Sequence, residues 1–138
     1  MPSKRERTRQ SILDTAAAVA SEHGLESLSI GDLATATGMS KSGVFAHFGS
    51  KEELQLATVD HAASIFVREV IEPAQAAPRG VARVWALLDG FLDYIERDVF
   101  RGGCFFSTTS AEFKRRPGPV RDRIAAQIAG RHGYLERA

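Results

Sequence analysis

Cysteine is almost absent from this chain. Cys104 stands alone, so no internal disulfide and no cysteine-rich zinc site can form, and a lone thiol beside Phe105 reads as a small buried hydrophobe. No apolar run approaches the ~18 residues that a membrane span needs, and the N-terminus lacks the layout of a secretory signal. The sequence therefore reads as cytoplasmic, with no membrane partner. His23, His47, His61 and His132 are dispersed, and none stands at i, i+4 with another. Nucleophile–base pairs, metal-ligand spacing and phosphate-binding glycine loops are also missing, so the sequence offers no catalytic residue, metal or cofactor and reads as non-enzymatic.

Net charge is close to balanced at +1, which favours no partner, but its distribution is uneven. Lys4, Arg5, Arg7 and Arg9 face Glu6 alone at the N-terminus. Lys41 and Lys51 lie in a stretch, 38–51, that holds no acid. The middle is acidic, and the tail from Lys114 to Arg137 is basic, with only Asp122 and Glu136 opposing. At 138 residues the chain is one average domain or two small helical ones.

What is present is helical periodicity; no alternating strand segment emerges. Ile12, Leu13, Ala16, Ala17, Val19 and Ala20 define a first helix from about residue 6 to His23, ended by Gly24. Ser29 with Asp32 caps a second helix that stops at Gly38, and Ser40 caps a third that runs to Phe48. Ser50 with Glu53 opens a fourth, which Pro73 stops. After a linker at 74–80, a fifth helix runs from Val81 to about Val99 and a sixth from Cys104 to Lys114. The seventh starts at Pro119 and weakens at Gly130 and Gly133.

The second and third helices with their glycine turn have the layout of a helix-turn-helix reader of DNA. Eight residues from Lys41 to Phe48 would span ~12 Å, about the width of the major groove. Val44 and Phe48 suit the buried face, which leaves Lys41, Ser42, Phe45 and His47 outside. Ser42, Gly43 and Ala46 are small enough for close approach. Lys41, Ser42 and His47 are placed for base edges or phosphate. Lys51 and the helix starts at Ser29 and Ser50 are placed for phosphate. The basic segment carrying Arg5 and Arg7 reads as an arm that reaches a neighbouring groove or backbone.

The same residues resemble the TetR family of bacterial transcription regulators. The matching signature is Ile12-Leu13, Ala16-Ala17, Gly24, Ser29-Ile30, Leu33-Ala34 and Gly38-Met39-Ser40. It continues through Ser42-Gly43-Val44-Phe45, His47-Phe48 and Ser50-Lys51-Glu52-Glu53-Leu54. The resemblance implies an all-α protein with a three-helix DNA-binding head at 1–51 and a helical regulatory domain at 52–138. It implies a homodimeric repressor on a palindromic double-stranded DNA operator, released by a small-molecule inducer. By position, Ser29, Lys41, Ser42, Gly43, Phe45, His47 and Lys51 look like the DNA-contacting set. Phe45 stands where the family most often has tyrosine, so it offers only apolar contact, for instance to a thymine methyl.

Helices four to seven of such a protein would enclose the inducer, lined here by Phe66, Trp85, Leu88, Phe91, Phe105 and Phe106. Tyr94 is expected in the same interior, and Thr108, Thr109 and Glu112 are candidates to orient a ligand. Read blandly, aromatics at this spacing are core. Family members usually carry two more long helices that build the dimer interface, so the regulatory domain reads as incomplete. The alternative is a truncated helical interaction protein that pairs with a full-length relative and does not bind DNA alone.

Overall fold

Glycines and hydroxyl caps divide the chain into seven helices in the computed structural model, which describes residues 1–138. α1 (Lys4–His23) ends at Gly24, whose φ of 86° is a conformation that side chains other than glycine resist. α2 (Ile30–Thr37) starts where the Ser29 hydroxyl accepts the Asp32 N–H at 3.0 Å. It ends at Gly38, which is left-handed with φ 71°. The Ser40 hydroxyl then caps α3 (Lys41–Phe45) by accepting the Gly43 N–H at 3.0 Å. The fold class is therefore the all-helical one expected.

The long helix α4 (Lys51–Phe66) begins at a two-sided cap. Ser50 Oγ accepts the Glu53 N–H, and the Glu53 carboxylate accepts the Gly49 N–H at 2.8 Å. α4 does not stop at Pro73. It widens into a π-helical turn, Val67–Ile71, and runs on through Glu72–Ala74. Glu72 N–H donates five residues back to Val67 O, so the ordinary ladder is already displaced where Pro73 lacks its donor. α5 (Val81–Glu96), α6 (Phe105–Glu112) and α7 (Pro119–Arg137) complete the chain. α7 runs through Gly130 and Gly133 instead of weakening there.

Two further boundaries differ from expectation. α3 is five residues long, not eight, because the chain leaves it at Ala46 to reach the extended Ser50. The N-terminal basic segment is no arm: Ser3 caps α1, and residues from Lys4 onward are helical.

One apolar core runs through both halves. Ile12, Leu13 and Ala16 of α1 meet Val44 and Phe48 from the head, Leu54, Val59 and Ala62 from α4, and Phe105 and Phe106 from α6. Polar ties join the same elements. His61 Nε2 and Asp14 Oδ1 stand 2.6 Å apart between α4 and α1. Asp60 of α4 receives Arg123 and Gln127 of α7. No helix is long and apolar enough to cross a membrane.

Candidate nucleic-acid interface

α3 is held from beneath by two fully buried side chains, Val44 and Phe48. That anchoring turns Lys41, Ser42 and Phe45 outward, and Phe45 is 51% exposed, an unusual place for a large apolar ring. Ser42 Oγ lies 3.2 Å from Ser40 Oγ and is otherwise open. Gly43 is turned toward its own cap, since a Cβ there would stand 3.2 Å from Ser40 Oγ and 3.3 Å from Met39 Cε. Its lack of a side chain thus serves the turn.

The first turn of α2 lies beside Lys41. A Cβ on Gly31 would stand 3.2 Å from Lys41 Cε, so the lysine stem crosses the start of α2. This brings an ammonium and the unpaired N–H groups of a helix N-terminus to one place, which is the arrangement that receives a phosphate oxygen. Ser29 is half-buried there, with its hydroxyl committed to the cap.

α1 flanks the other end of α3. Arg5 Nη2 donates to Ala46 O at 2.8 Å, placing a cation on the carbonyl end of α3. Arg9 lies over the Phe48 ring at 4.9 Å. Lys4 and Arg7 face another way, onto a groove lined also by Thr8, Ser11, Thr37 and Met39, with no acid in its wall. Arg7 itself donates to Pro2 O at 3.0 Å. Lys4, Arg5, Arg7, Arg9 and Lys41 have no carboxylate within ion-pair distance.

His47 and Lys51 are more constrained than their sequence positions suggest. His47 is half-buried, and its buried Nδ1 has no hydrogen-bond partner in the chain. Burial, with the Arg5 and Arg9 guanidiniums alongside, holds its imidazole below the ordinary pKa of 6.5. It is therefore neutral at pH 7 in the free chain. Lys51 Nζ donates to Glu26 O at 2.7 Å and lies 3.5 Å from the Glu26 carboxylate, so this cation is already held.

The expected inducer lining is split by the structure. Phe66, Phe91, Leu88 and Phe106 border two adjoining cavities of about 280 Å³ each, between α4, α5, α6 and α7. Trp85 does not join them: it is 61% exposed on the outer face of α5 with Val81, Val84 and Leu92. Helical spacing places 85 with 81, 88 and 92, a stripe that turns away from the core which Leu87 and Tyr94 enter; Leu88, itself exposed on this stripe, borders only the apolar cavity from its outer side. Phe105 is fully buried and packs edge-on against Phe106, so it is core and borders neither cavity. Tyr94 is buried as expected, its hydroxyl 3.9 Å from the buried Cys104 thiol.

Nor do Thr108, Thr109 and Glu112 border either cavity. Thr109 bonds Phe105 O within α6, and Thr108 bonds Ser21 O at the end of α1. Glu112 accepts the Leu25 N–H at 2.7 Å and the Glu26 N–H at 3.1 Å, clasping the α1–α2 loop. Sequence reasoning missed Arg131, which borders both cavities. Its signal was legible: Ile124, Ile128, Arg131 and Leu135 form one helical stripe with a charge in an apolar series.

This geometry defines the molecule as an all-helical protein with an N-terminal helix-turn-helix head. The family model described as "Bacterial regulatory proteins, tetR family" matches residues 12–58. A "Tetracyclin repressor-like, C-terminal domain" model matches residues 80–138. The chain belongs to the TetR family. It is 34% identical over 98 residues to the HTH-type transcriptional repressor Rv3405c of Mycobacterium tuberculosis, covering 66% of this chain and 52% of that one. With the HTH-type transcriptional repressor AcnR of Corynebacterium efficiens it shares 40% identity over 65 residues, 47% of this chain and 35% of the relative.

A crystal structure of a TetR transcriptional regulator from Chloroflexus aurantiacus superposes with a TM-score of 0.75 at 34% identity, over 92% of this chain and 64% of that one. The chain spans about half the length, or less, of the curated relatives it matches. Their names favour a regulator over an interaction protein that has lost its DNA-binding role.

Proposed function

We propose that this chain is the DNA-reading part and much of the regulatory part of a transcriptional repressor. α3 enters the major groove, where Ser42 reads base edges and Phe45 offers apolar contact to a thymine methyl. Arg5, Lys4 and Arg7 track the phosphates on the α1 side, and Lys41 with the start of α2 receives a phosphate on the other. Ser29 acts by capping α2 and Gly43 by fitting the turn. His47 contributes as a neutral group, and Lys51 is a phosphate ligand that must first share or leave Glu26. The observation that carries this reading is the short helix α3, anchored by Val44 and Phe48 and flanked by cations without carboxylate partners.

As a repressor of this kind, the protein works in the cytoplasm as a homodimer on a palindromic operator. A small molecule filling the cavities beside α4 releases it from DNA. The π-helical turn at Val67–Ile71 supports a role for those cavities, since such turns are frequent at functional sites. The test is selection of duplexes from a random pool with the full chain, followed by binding of the winners. Enrichment of a defined half-site, or of two half-sites a whole number of helical turns apart, is the expected result. Failure to enrich any sequence, with no salt-sensitive binding to duplex, refutes the reading.

A further inference from the structure

We infer that the paired cavities receive an amphipathic carboxylate: an apolar acyl or aryl body with one anionic head that meets Arg131. This deepens the ligand-responsive reading above and rests on it for biological meaning, but not for its test. The two cavities share Phe66, Ile71 and Arg131 and so form adjoining lobes of different character. One is apolar, walled by Val70, Leu87, Leu88, Phe91 and Leu135. The other adds Gln127, Tyr134 and Arg137.

Three observations converge on the charge of the occupant. Neither lobe has an aspartate or glutamate in its wall, whereas Arg131, Arg137 and His132 all border one or both. Arg131 is half-buried and sandwiched by the Phe66 and Phe106 rings, at 4.4 and 4.5 Å, yet has no carboxylate within ion-pair distance. Ring faces attract a guanidinium but leave its N–H donors unused. The Tyr134 side chain lines the same lobe, and its hydroxyl, closed off behind the wall, also lacks a hydrogen-bond partner in the chain.

One unpaired donor group, Arg131, thus borders the apolar space and a second, the Tyr134 hydroxyl, lies just behind its wall, and a partly desolvated cation gains most from an anion placed beside it. Apolar ligands without charge would leave both unsatisfied. Cations would meet Arg131 directly. The π-helical turn contributes Val67, Val70 and Ile71 to the walls, so the widened backbone is itself part of the site.

The test is calorimetric titration of the full chain, without DNA, by octanoate, 1-octanol and octylammonium, which share one apolar body. Octanoate is expected to bind at least roughly tenfold tighter than 1-octanol, in line with a hydrogen bond to a charged group. Octylammonium is expected not to bind. Arg131→Met should abolish the octanoate preference, so that octanoate binds no better than 1-octanol. Tyr134→Phe, which removes one oxygen and keeps the packing, should weaken octanoate several-fold and serves if the arginine variant fails to fold. Equal binding of octanoate and 1-octanol, indifference to both substitutions, or no octanoate binding overturns the inference. A chain that binds octanoate but never releases DNA would refute the ligand-responsive reading instead.

Discussion

The head and the back half keep their candidate sites in different ways. Around α3 the geometry comes from neighbours in sequence: Ser40 caps at Gly43, Gly38 makes the turn, and Val44 and Phe48 face inward. The cavity beside α4 is assembled from Phe66, Phe91, Phe106 and Arg131, residues on four different helices. The clasp that joins the halves is equally long-range, with Glu112 gripping N–H groups of Leu25 and Glu26. A site of local origin is robust to what surrounds it, whereas one of distant origin depends on how helices dock.

Substitutions separate these two modes, and the largest effect should fall at the join. A Cβ at Gly102 would collide with the Ser21 carbonyl, a backbone atom that cannot swing aside. Gly102→Ala should therefore cost about 3 kcal/mol or more in urea unfolding, the upper end for overpacking. A cost below about 1 kcal/mol would mean that α1 and the Gly102 turn are loosely docked. Glu112→Ala leaves two loop N–H groups without an acceptor and should cost about 2 kcal/mol. Ser40→Ala, a local cap in the head, should cost about 1 kcal/mol. Reversal of that order would deny the clasp its role.

DNA binding sharpens the picture within the head. Lys41→Ala should lower the salt slope by roughly 1 on any sequence, and Lys51→Ala by less, because Glu26 already holds that ammonium. Equal losses would show that the Glu26 contact breaks freely on DNA. His47 gives a pH signature of definite sign. Its imidazole binds a proton less readily folded than unfolded. Its contribution is thus full above pH 6.5 and is lost as pH falls through the lowered folded value. His47→Gln should flatten that part of the stability–pH curve, while an unchanged curve would place the titration elsewhere. The smallest effect belongs to the exposed Trp85: Trp85→Ser should change stability by less than about 0.5 kcal/mol.

Most of the fold was legible because glycines and serines punctuate it. Gly24, Gly38, Ser29, Ser40 and Ser50 each do what their positions suggest. The shortness of α3 was not, since Ala46, His47 and Phe48 are good enough helix residues and only the path to Ser50 ends the helix. Nor was the helical start of α1, where a Ser3 cap overrides the look of a charged tail. In the back half, composition identified aromatics but not their direction. Trp85 and Tyr94 sit on one amphipathic helix, yet one faces out and the other in. Glu112 looked like a ligand group because nothing local announces that its partners lie 86 and 87 residues away.

The most direct measurement is the affinity of the full chain for a selected duplex across a series of salt concentrations, with Ser42→Ala alongside. A DNA-reading head predicts that log affinity falls linearly with log salt, with a slope set by several phosphate contacts. Ser42→Ala should keep that slope and alter which base pair is preferred. A flat salt response, or a Ser42 variant with unchanged preference and a reduced slope, would contradict the assignment of α3 as the reading helix.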